Sequence, residues 1–530
     1  MPLPTLAPGE LWPPKSLEKI LPAMTQWSAW YSGELARLQA AYGGGPMLDQ
    51  TGFFSSDKGG FKATVNRTLQ RWFVGEPARG PERNTKLPIP IAAEICQASA
   101  DLLFSDPVSV NVSDEGTQTR LLDLLDDSFH STIAEAAEMC AALGGVYLRV
   151  TWDDTVSDGP FTTVKDADTA IPEFKWGRLR AVTFWNVVHR DGKIVYRHLE
   201  RHELNSLGIG VILHGLYAGE EDSLGTRVSL TARPETEQLA LFTDLNVEGT
   251  ISTESPGLAV TYVPNQTPNR LWRTDPIGRN LGRSDLDGVE HLMDQLAETM
   301  SDWMRARRVA RARIMLSKEL LKNNGPGNGT VTDLSQEVFT TVNSLDGKDL
   351  TMDQKIQLLQ PAFNPDQFQK TATALIEQIL QMAGYSMQTF GIEGDHPQRT
   401  ATEIESKEQR SLMTRRRKSR EWVPALREHV TKLLEVDRVF FGHQNVTTDV
   451  DVEFASTVVV SQLNLAQTAQ ALYVSQSAST KERVTLLHND WDEDQIDAEV
   501  AAIQAEFAVA PLHDPQFAPM GPESSIITGG

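Results

Sequence analysis

The sequence predicts an α+β fold: a mixed α/β first half, then three long helical rods, with a small β-containing insert between the first two and a helical part near the C-terminus. Three observations carry this reading. Alternating apolar runs of strand type cluster between positions 146 and 263. From Ser284 to Leu434 the apolar residues instead recur at helical spacing. The totals fit as well, since 530 residues with 40% hydrophobic and 23% charged content describe a folded chain too long for one simple core.

In chain order, residues 1 to 15 are proline-rich and irregular. Ser16 to about Tyr42 reads as one amphipathic helix (Leu17, Ile20, Met24, Trp27, Tyr31, Leu35, Leu38) stopped by Gly43-Gly44-Gly45-Pro46. No strand precedes those glycines and no Lys-Ser/Thr follows, so they end a helix and do not cradle phosphate. Residues 51 to 90 are mostly loop, with a helical piece around Leu69 to Phe73. A helix then carries Ile95, Ala98, Leu102 and Leu103, and Pro107 to Val112 reads as a strand. Next, a helix of about Thr132 to Leu143 breaks at Gly144-Gly145 into the strand Val146 to Trp152. Ile194 to Glu203 and Ile209 to Tyr217 flank Ser206-Leu207-Gly208 as a hairpin, and Val260 to Val263 closes the β region.

The first rod, 284–311, has apolar Leu286, Val289, Leu292, Met293, Leu296, Met300, Trp303 and Met304. Ser284 stands where an N-cap belongs, with Asp285 and Asp287 in the first turn. A basic run, Arg305, Arg307, Arg308, Arg311 and Arg313, crowds its far end. The insert 312–364 holds Ile314 to Leu316, a loop from Asn323 and Asn324 to Asn328 and Gly329, a strand candidate Glu337 to Val342, and Ile356 to Leu359. It is too short for an independent core and is expected to be completed by another subunit. The second rod, 365–384, starts at Asn364-Pro365 and stops at Gly384. The loop 385–399 is long for a simple helix connection, and such loops between rigid rods tend to be functional. The last rod begins with the capping box Thr400 to Glu403, carries Arg410, Arg415, Arg416, Arg417, Lys418 and Arg420, and reaches Leu434 with a kink expected at Pro424. A β piece (Val446 to Val460) and helices of about 462–474, 480–488 and 492–507 follow, and the tail from Ala508 is expected to be disordered.

The formal net charge of −22 argues against a protein that coats nucleic acid through a basic surface, though not against one through which DNA passes without being held. Charge is segregated: from Val484 to Gly530 there are nine Asp or Glu and no Lys or Arg. Arginines on long helices more often pair with acidic neighbours or another chain than grip phosphate. Cys96 and Cys140 lie in apolar helical contexts and read as buried free thiols. No apolar run approaches the ~18 residues that cross a bilayer, and the start lacks the regions of a signal peptide, so the chain is expected to stay where it is made. No P-loop, zinc helix, Cys-x-x-Cys or Gly-x-Ser-x-Gly occurs. The Asp490, Asp492, Asp494 series has Gln495 where a calcium loop needs glycine and Ala501 where it needs glutamate. Nothing assembles a nucleophile, a base and an oxyanion site, so no catalytic, cofactor or metal residue is assigned.

Four local patterns then stand in order: Pro90-Ile91-Ala92-Ala93-Glu94-Ile95 leading to Ala100-Asp101-Leu102-Leu103-Phe104; Ala141-Ala142-Leu143-Gly144-Gly145-Val146-Tyr147-Leu148-Arg149-Val150; Gly282-Arg283-Ser284-Asp285-Leu286; and Thr400-Ala401-Thr402-Glu403-Ile404. In order and spacing the chain resembles, over about residues 15 to 507, the portal proteins of tailed bacteriophages. The resemblance implies a ring of twelve subunits at one capsid vertex through which double-stranded DNA is packaged and ejected. It implies a wing in 1–283, stem helices in 284–311 and 365–384, and a clip in 312–364. It also implies a tunnel loop in 385–399, a long wing helix with its return strand in 400–460, and a helical crown in 461–507. Met387, Gln388, Thr389, Phe390, Ile392, His396, Gln398 and Arg399 would belong to the tunnel loop. The basic residues of the stem and long helix, Arg305, Arg307, Arg308, Arg311, Arg313, Arg415, Arg416, Arg417 and Lys418, would face DNA or a neighbouring subunit. Asn323, Asn324, Asn328 and Glu337 would sit in the clip that meets the terminase and later the head-tail connector proteins. The major capsid protein and a scaffolding protein would be further partners, in the virion and, during assembly, in the host cytoplasm. No cofactor and no membrane are implied. Two other classes stay open on the residues alone: a nucleic-acid-processing enzyme with an unrecognised metal site, and a helical interaction scaffold without DNA.

Overall fold

A computed structural model describes residues 11–41, 89–242, 250–309, 313–316, 322–323, 330–331, 356–359, 363–392, 401–455 and 462–509, apart from positions 154, 447, 448, 476, 489, 490 and 492. The chain divides into two compact units, Met1–Ala455 and Ser456–Gly530. The first is α+β with antiparallel sheets.

It opens with α1 (Leu21–Ser32) and α2 (Leu35–Ala41). The single helix expected from 16 to 42 is broken because Gly33 takes a left-handed φ of 62°, which ends α1 one turn after Trp30. Helix α3 (Ile91–Phe104) leads to β1 (Ser109–Asn111). Helix α4 (Glu115–Leu124) follows, capped by the Asp114 carboxylate, which accepts from Thr117 N. Helix α5 (Asp127–Leu143) starts on Asp126, five residues earlier than its apolar pattern suggests, and passes through Gly144 into β2 (Gly145–Thr151).

Two sheets follow. Strands β3 (Phe161–Asp166) and β10 (Val260–Pro264) flank β2 in a three-stranded sheet. The six-stranded sheet runs β4 (Ala170–Lys175), β5 (Arg178–Asp191), β6 (Ile194–Leu204), β7 (Ile209–Gly219), β8 (Thr226–Val228), with β9 (Thr250–Pro256) also on β7. The expected hairpin is its centre: β6 and β7 pair from Leu204↔Gly210 to Val195↔Gly219, with Gly208 at φ 79° in the turn. A helix that the sequence reading did not register, α6 (Pro234–Phe242), lies between β8 and β9.

The regular part of the first rod is α7 (Glu290–Val309), so the helix begins six residues after Ser284. Ser284 is not its N-cap. Residues 285–289 form a turn in which Gly288 has φ 87°, a value that fits glycine and interrupts a helix. Strands β11 (Arg313–Leu316) and β14 (Ile356–Leu359) pair antiparallel, as do the short β12 (Lys322–Asn323) and β13 (Thr330–Val331). The strand expected at Glu337 to Val342 lies outside the described residues. Helix α8 (Pro365–Ala383) has proline at N1 and Gly384 at φ 99° as its stop, as the sequence predicts. Helix α9 (Ala401–Phe440) runs one and a half turns past Leu434, because Val436 and Asp437 are still fully buried and hold those turns to the body. Strand β15 (Asp451–Glu453) returns to pair with β1. Cys96 and Cys140 are buried free thiols.

Two large cores join these elements. One takes Trp27 and Trp30 from α1, Ile95 from α3, Tyr147 from β2, Leu286, Val289 and Leu296 from the α7 segment, and Ile379 and Leu380 from α8. The other sets Trp422, Leu426 and Val430 of α9 against Leu103, Leu121, Ile133 and Leu148. The second unit consists of α10 (Gln462–Val474), α11 (Thr480–Leu487) and α12 (Glu493–Val509). The Ser479 hydroxyl caps α11 by accepting from Glu482 N.

Two of the sequence patterns singled out above bind each other. The segment 282–285 lies across the C-terminus of α5: Ser284 Oγ donates to the Ala142 carbonyl at 2.6 Å and Asp285 N to the Ala141 carbonyl at 3.0 Å, satisfying carbonyls that a helix end leaves open. The backbones approach so closely that a Cβ at Gly282 would collide with the Gly144 carbonyl oxygen and stand 2.5 Å from Asn265 N. Both obstacles are backbone, with little room to give. Gly282→Ala is expected to cost about 1–3 kcal/mol by overpacking, read as a lowered urea midpoint. A midpoint within error of wild type would show that this crossing is loose.

Candidate functional site at the root of the paired helices

Helices α7 and α8 pack side by side, with Trp303 and Phe368 stacked at 6.2 Å near the distal end. At the other end, five segments converge on one buried carboxylate. Asp285 Oδ2 accepts from Lys418 Nζ at 2.5 Å and from Tyr385 OH at 2.7 Å. Asp285 Oδ1 accepts from Asn265 Nδ2 and Gln266 Nε2, both at 2.9 Å. Lys418 Nζ also donates to Ser99 Oγ at 2.5 Å. Burial, and after it the Asp285 carboxylate, push the Tyr385 hydroxyl well above the usual tyrosine range, so it stays a donor. Both charges of the ion pair are fully buried, and such a pair holds geometry more than it adds stability.

The chain leaving α8 is fixed just as closely. Gly384 ends the helix, its carbonyl accepts from Thr414 Oγ1 at 2.6 Å, and Ser386 N donates to Ser411 Oγ at 2.9 Å. A one-turn helix, Met387–Phe390, follows. Thr389 Oγ1 sits 2.7 Å from Ser411 Oγ, and Phe390 meets Tyr385 edge to face. Met387, Phe390 and Ile392 pack against the first core. Gln388 is half-buried on the same turn. His396, Gln398 and Arg399 lie outside the described residues.

The basic residues separate. Arg305 and Arg307 are exposed on α7, and Arg416 and Arg417 on α9. Arg308 lies on α7 and Arg313 on β11, but their side chains, like the whole of Arg311, lie outside the described residues. Arg415 is turned inward, donating from Nε to the Leu102 carbonyl at 2.6 Å and from Nη2 to the Ala455 carbonyl at 2.7 Å. Lys418 corrects the sequence reading: grouped there with residues facing DNA or a neighbour, it is 1% exposed and committed to Asp285. The physical reason is helical phase, since Ser411, Thr414, Lys418, Trp422, Ala425 and His429 form one buried stripe along α9. Asn323 is on β12, while Asn324, Asn328 and Glu337 lie outside the described residues.

Sequence reasoning missed Asp285, Tyr385, Asn265, Gln266 and Ser99 as one network. It also missed a cleft of about 870 Å³ beside it, lined by Gln266, Arg270, Arg283, Asp287, Gly288, Met382, Ala383, Gly384, Gln409, Arg410, Met413, Thr414 and Arg417. The available signal was positional: Tyr385 directly follows the helix stop, and Asp285 directly precedes a turn glycine-containing segment. Among the described residues no helix is long and apolar enough to cross a membrane.

Comparison with known proteins gives a family model described as phage portal protein, SPP1 Gp6-like, matching residues 256–508, just under half of the chain. No curated protein matches significantly. The matched stretch holds β10, the 282–285 strap, both paired helices, α9 and the helices of the second unit. That family is structural rather than enzymatic. Over residues 256–508 this chain is similar to the phage portal proteins, SPP1 Gp6-like.

Proposed function

We propose that the protein forms a ring at one capsid vertex and serves as the conduit for double-stranded DNA in packaging and ejection. The observation that carries this is the portal family match across α7, α8 and α9. The paired helices, of 20 and 19 residues, are about 30 and 28 Å long at 1.5 Å per residue, a length that makes a tunnel wall when repeated around an axis. In this reading α7 and α8 are the stem, 385–399 the tunnel loop, α9 and the sheets the wing, and the second unit the crown. The insert 312–364 is the clip that docks the terminase large subunit and then the head-tail connector proteins, with Asn323, Asn324, Asn328 and Glu337 on it. The wing and crown meet the major capsid protein and, during assembly in the host cytoplasm, the scaffolding protein. ATP is hydrolysed by a separate motor, and the net negative charge keeps DNA from sticking to the conduit.

Light scattering paired with negative-stain imaging of one purified fraction tests this. Twelve copies of the 58.7 kDa chain give about 700 kDa and a ring with a central hole. A monomer or dimer that persists across protein concentration and salt, with or without scaffolding protein, would sink the reading.

A further inference from the structure

The cleft at the root of α7 and α8 gathers four arginines and two methionines. Among the described residues, no salt bridge involves Arg270, Arg283, Arg410 or Arg417. Arg283 is spent on Gln266 Oε1 at 2.7 Å and Arg410 on the Gln381 carbonyl at the end of α8. Arg270 and Arg417 are exposed cations on the lining. Two methionines share that lining, Met382 at 57% and Met413 at 54% exposed, the one at the end of α8 and the other on α9. Exposed methionine beside arginine is the composition of a protein contact, since a phosphodiester backbone gains nothing from apolar thioethers.

Complementary charge stands elsewhere on the same chain. Glu290, Asp294, Glu298 and Asp302 recur at four-residue intervals along α7. The first is tied down, accepting from Trp27 Nε1 at 2.8 Å and from Gly288 N at 2.8 Å. Glu298 and Asp302 come later, on the side of α7 opposite the buried Leu296 and the half-buried Met300, and neither lines the cleft. A cyclic ring requires two different, complementary patches on each subunit, and a cationic cleft with a separate carboxylate row supplies them.

We infer that the occupant of the cleft is a second copy of this chain: Arg270 and Arg417, with Met382 and Met413 on the same lining, receive Glu298 and Asp302 of the next subunit's α7. This rests on the ring reading above and names the contact that closes it. It predicts that assembly weakens as salt rises, because the charges on both sides are accessible to ions.

The test is a charge exchange followed by light scattering at graded protein concentration. Arg270→Glu/Arg417→Glu and Glu298→Lys/Asp302→Lys are each expected to raise the concentration needed for assembly at least tenfold. The four-fold exchange in one chain is expected to recover most of the loss. Met382→Ser/Met413→Ser, which leaves charge untouched, is expected to weaken assembly without altering its salt dependence. Glu298 is half-buried and the other five positions are exposed on the single chain, and circular dichroism and the thermal midpoint verify folding. Wild-type rings that persist in both charge-reversed variants would overturn this contact while leaving the ring reading intact, as would a four-fold exchange no better than either half. Rings that persist but hold duplex DNA less tightly would assign the cleft to phosphate instead. Failure of the wild type itself to assemble would remove the ring reading and this contact together.

Discussion

Asp285→Ala is expected to destabilise the first unit by roughly 3–5 kcal/mol, the cost of stranding a charge that was paired in the interior. The Lys418 ammonium would keep only Ser99 and Tyr385 as partners, and the amide donors of Asn265 and Gln266 that aimed at the carboxylate would lose their acceptor. The loss reaches several elements at once, because the carboxylate joins the strap before α7, the residue after α8 and the middle of α9. Urea unfolding followed by tryptophan fluorescence measures it. Asp285→Asn combined with Lys418→Met removes both charges and is expected to recover much of the stability. A single variant no worse than an exposed Asp→Ala change, or a double variant as damaged as the single, would show that the ion pair does not hold this junction.

The second large effect is acid destabilisation through His429. It is fully buried on α9, its Nε2 is 2.8 Å from Thr162 Oγ1, and burial pushes its pKa down to about 3. The unfolded chain protonates histidine near 6.5, so the unfolded state takes the proton first. Stability is therefore complete above about pH 6.5, falls as pH drops, and stops falling through this group near pH 3. At pH 4 the loss from His429 alone is about 3 kcal/mol. His214, at about 4 through burial, adds to the same decline. Comparing urea midpoints at pH 7 and pH 4 for wild type and His429→Gln isolates the term. The variant is expected to lose about 3 kcal/mol less on acidification, and equal losses in both proteins would contradict the assignment.

What was readable in the chain depended on whether one local rule decided the outcome. Asn364-Pro365 and Gly384 bound α8 because proline at N1 and glycine past the end act locally. The β6 to β7 hairpin was likewise set by its own turn. Ser284 and Asp285 misled because each has two physical uses. Near a helix start both read as capping groups, whereas here the hydroxyl serves the end of α5 and the carboxylate serves Lys418, 133 positions away. The basic run on α9 hid a periodic stripe that buries Lys418, and Arg415 also turns inward, while Arg416 and Arg417 point out. The cleft was not legible, since Arg270, Met382 and Arg417 come from three distant stretches that only the tertiary fold brings together.

The pairing of β11 with β14 has a consequence of an evolutionary kind. The segment between those strands enters and leaves the body at one ladder, Arg313↔Leu359 to Leu316↔Ile356, so whatever it contains is closed off at its neck. Lengthening a closed loop costs only about 0.6 kcal/mol per doubling. A lineage can thus exchange the segment wholesale, as a cassette, while the rods on either side of it keep their sequence and their stability.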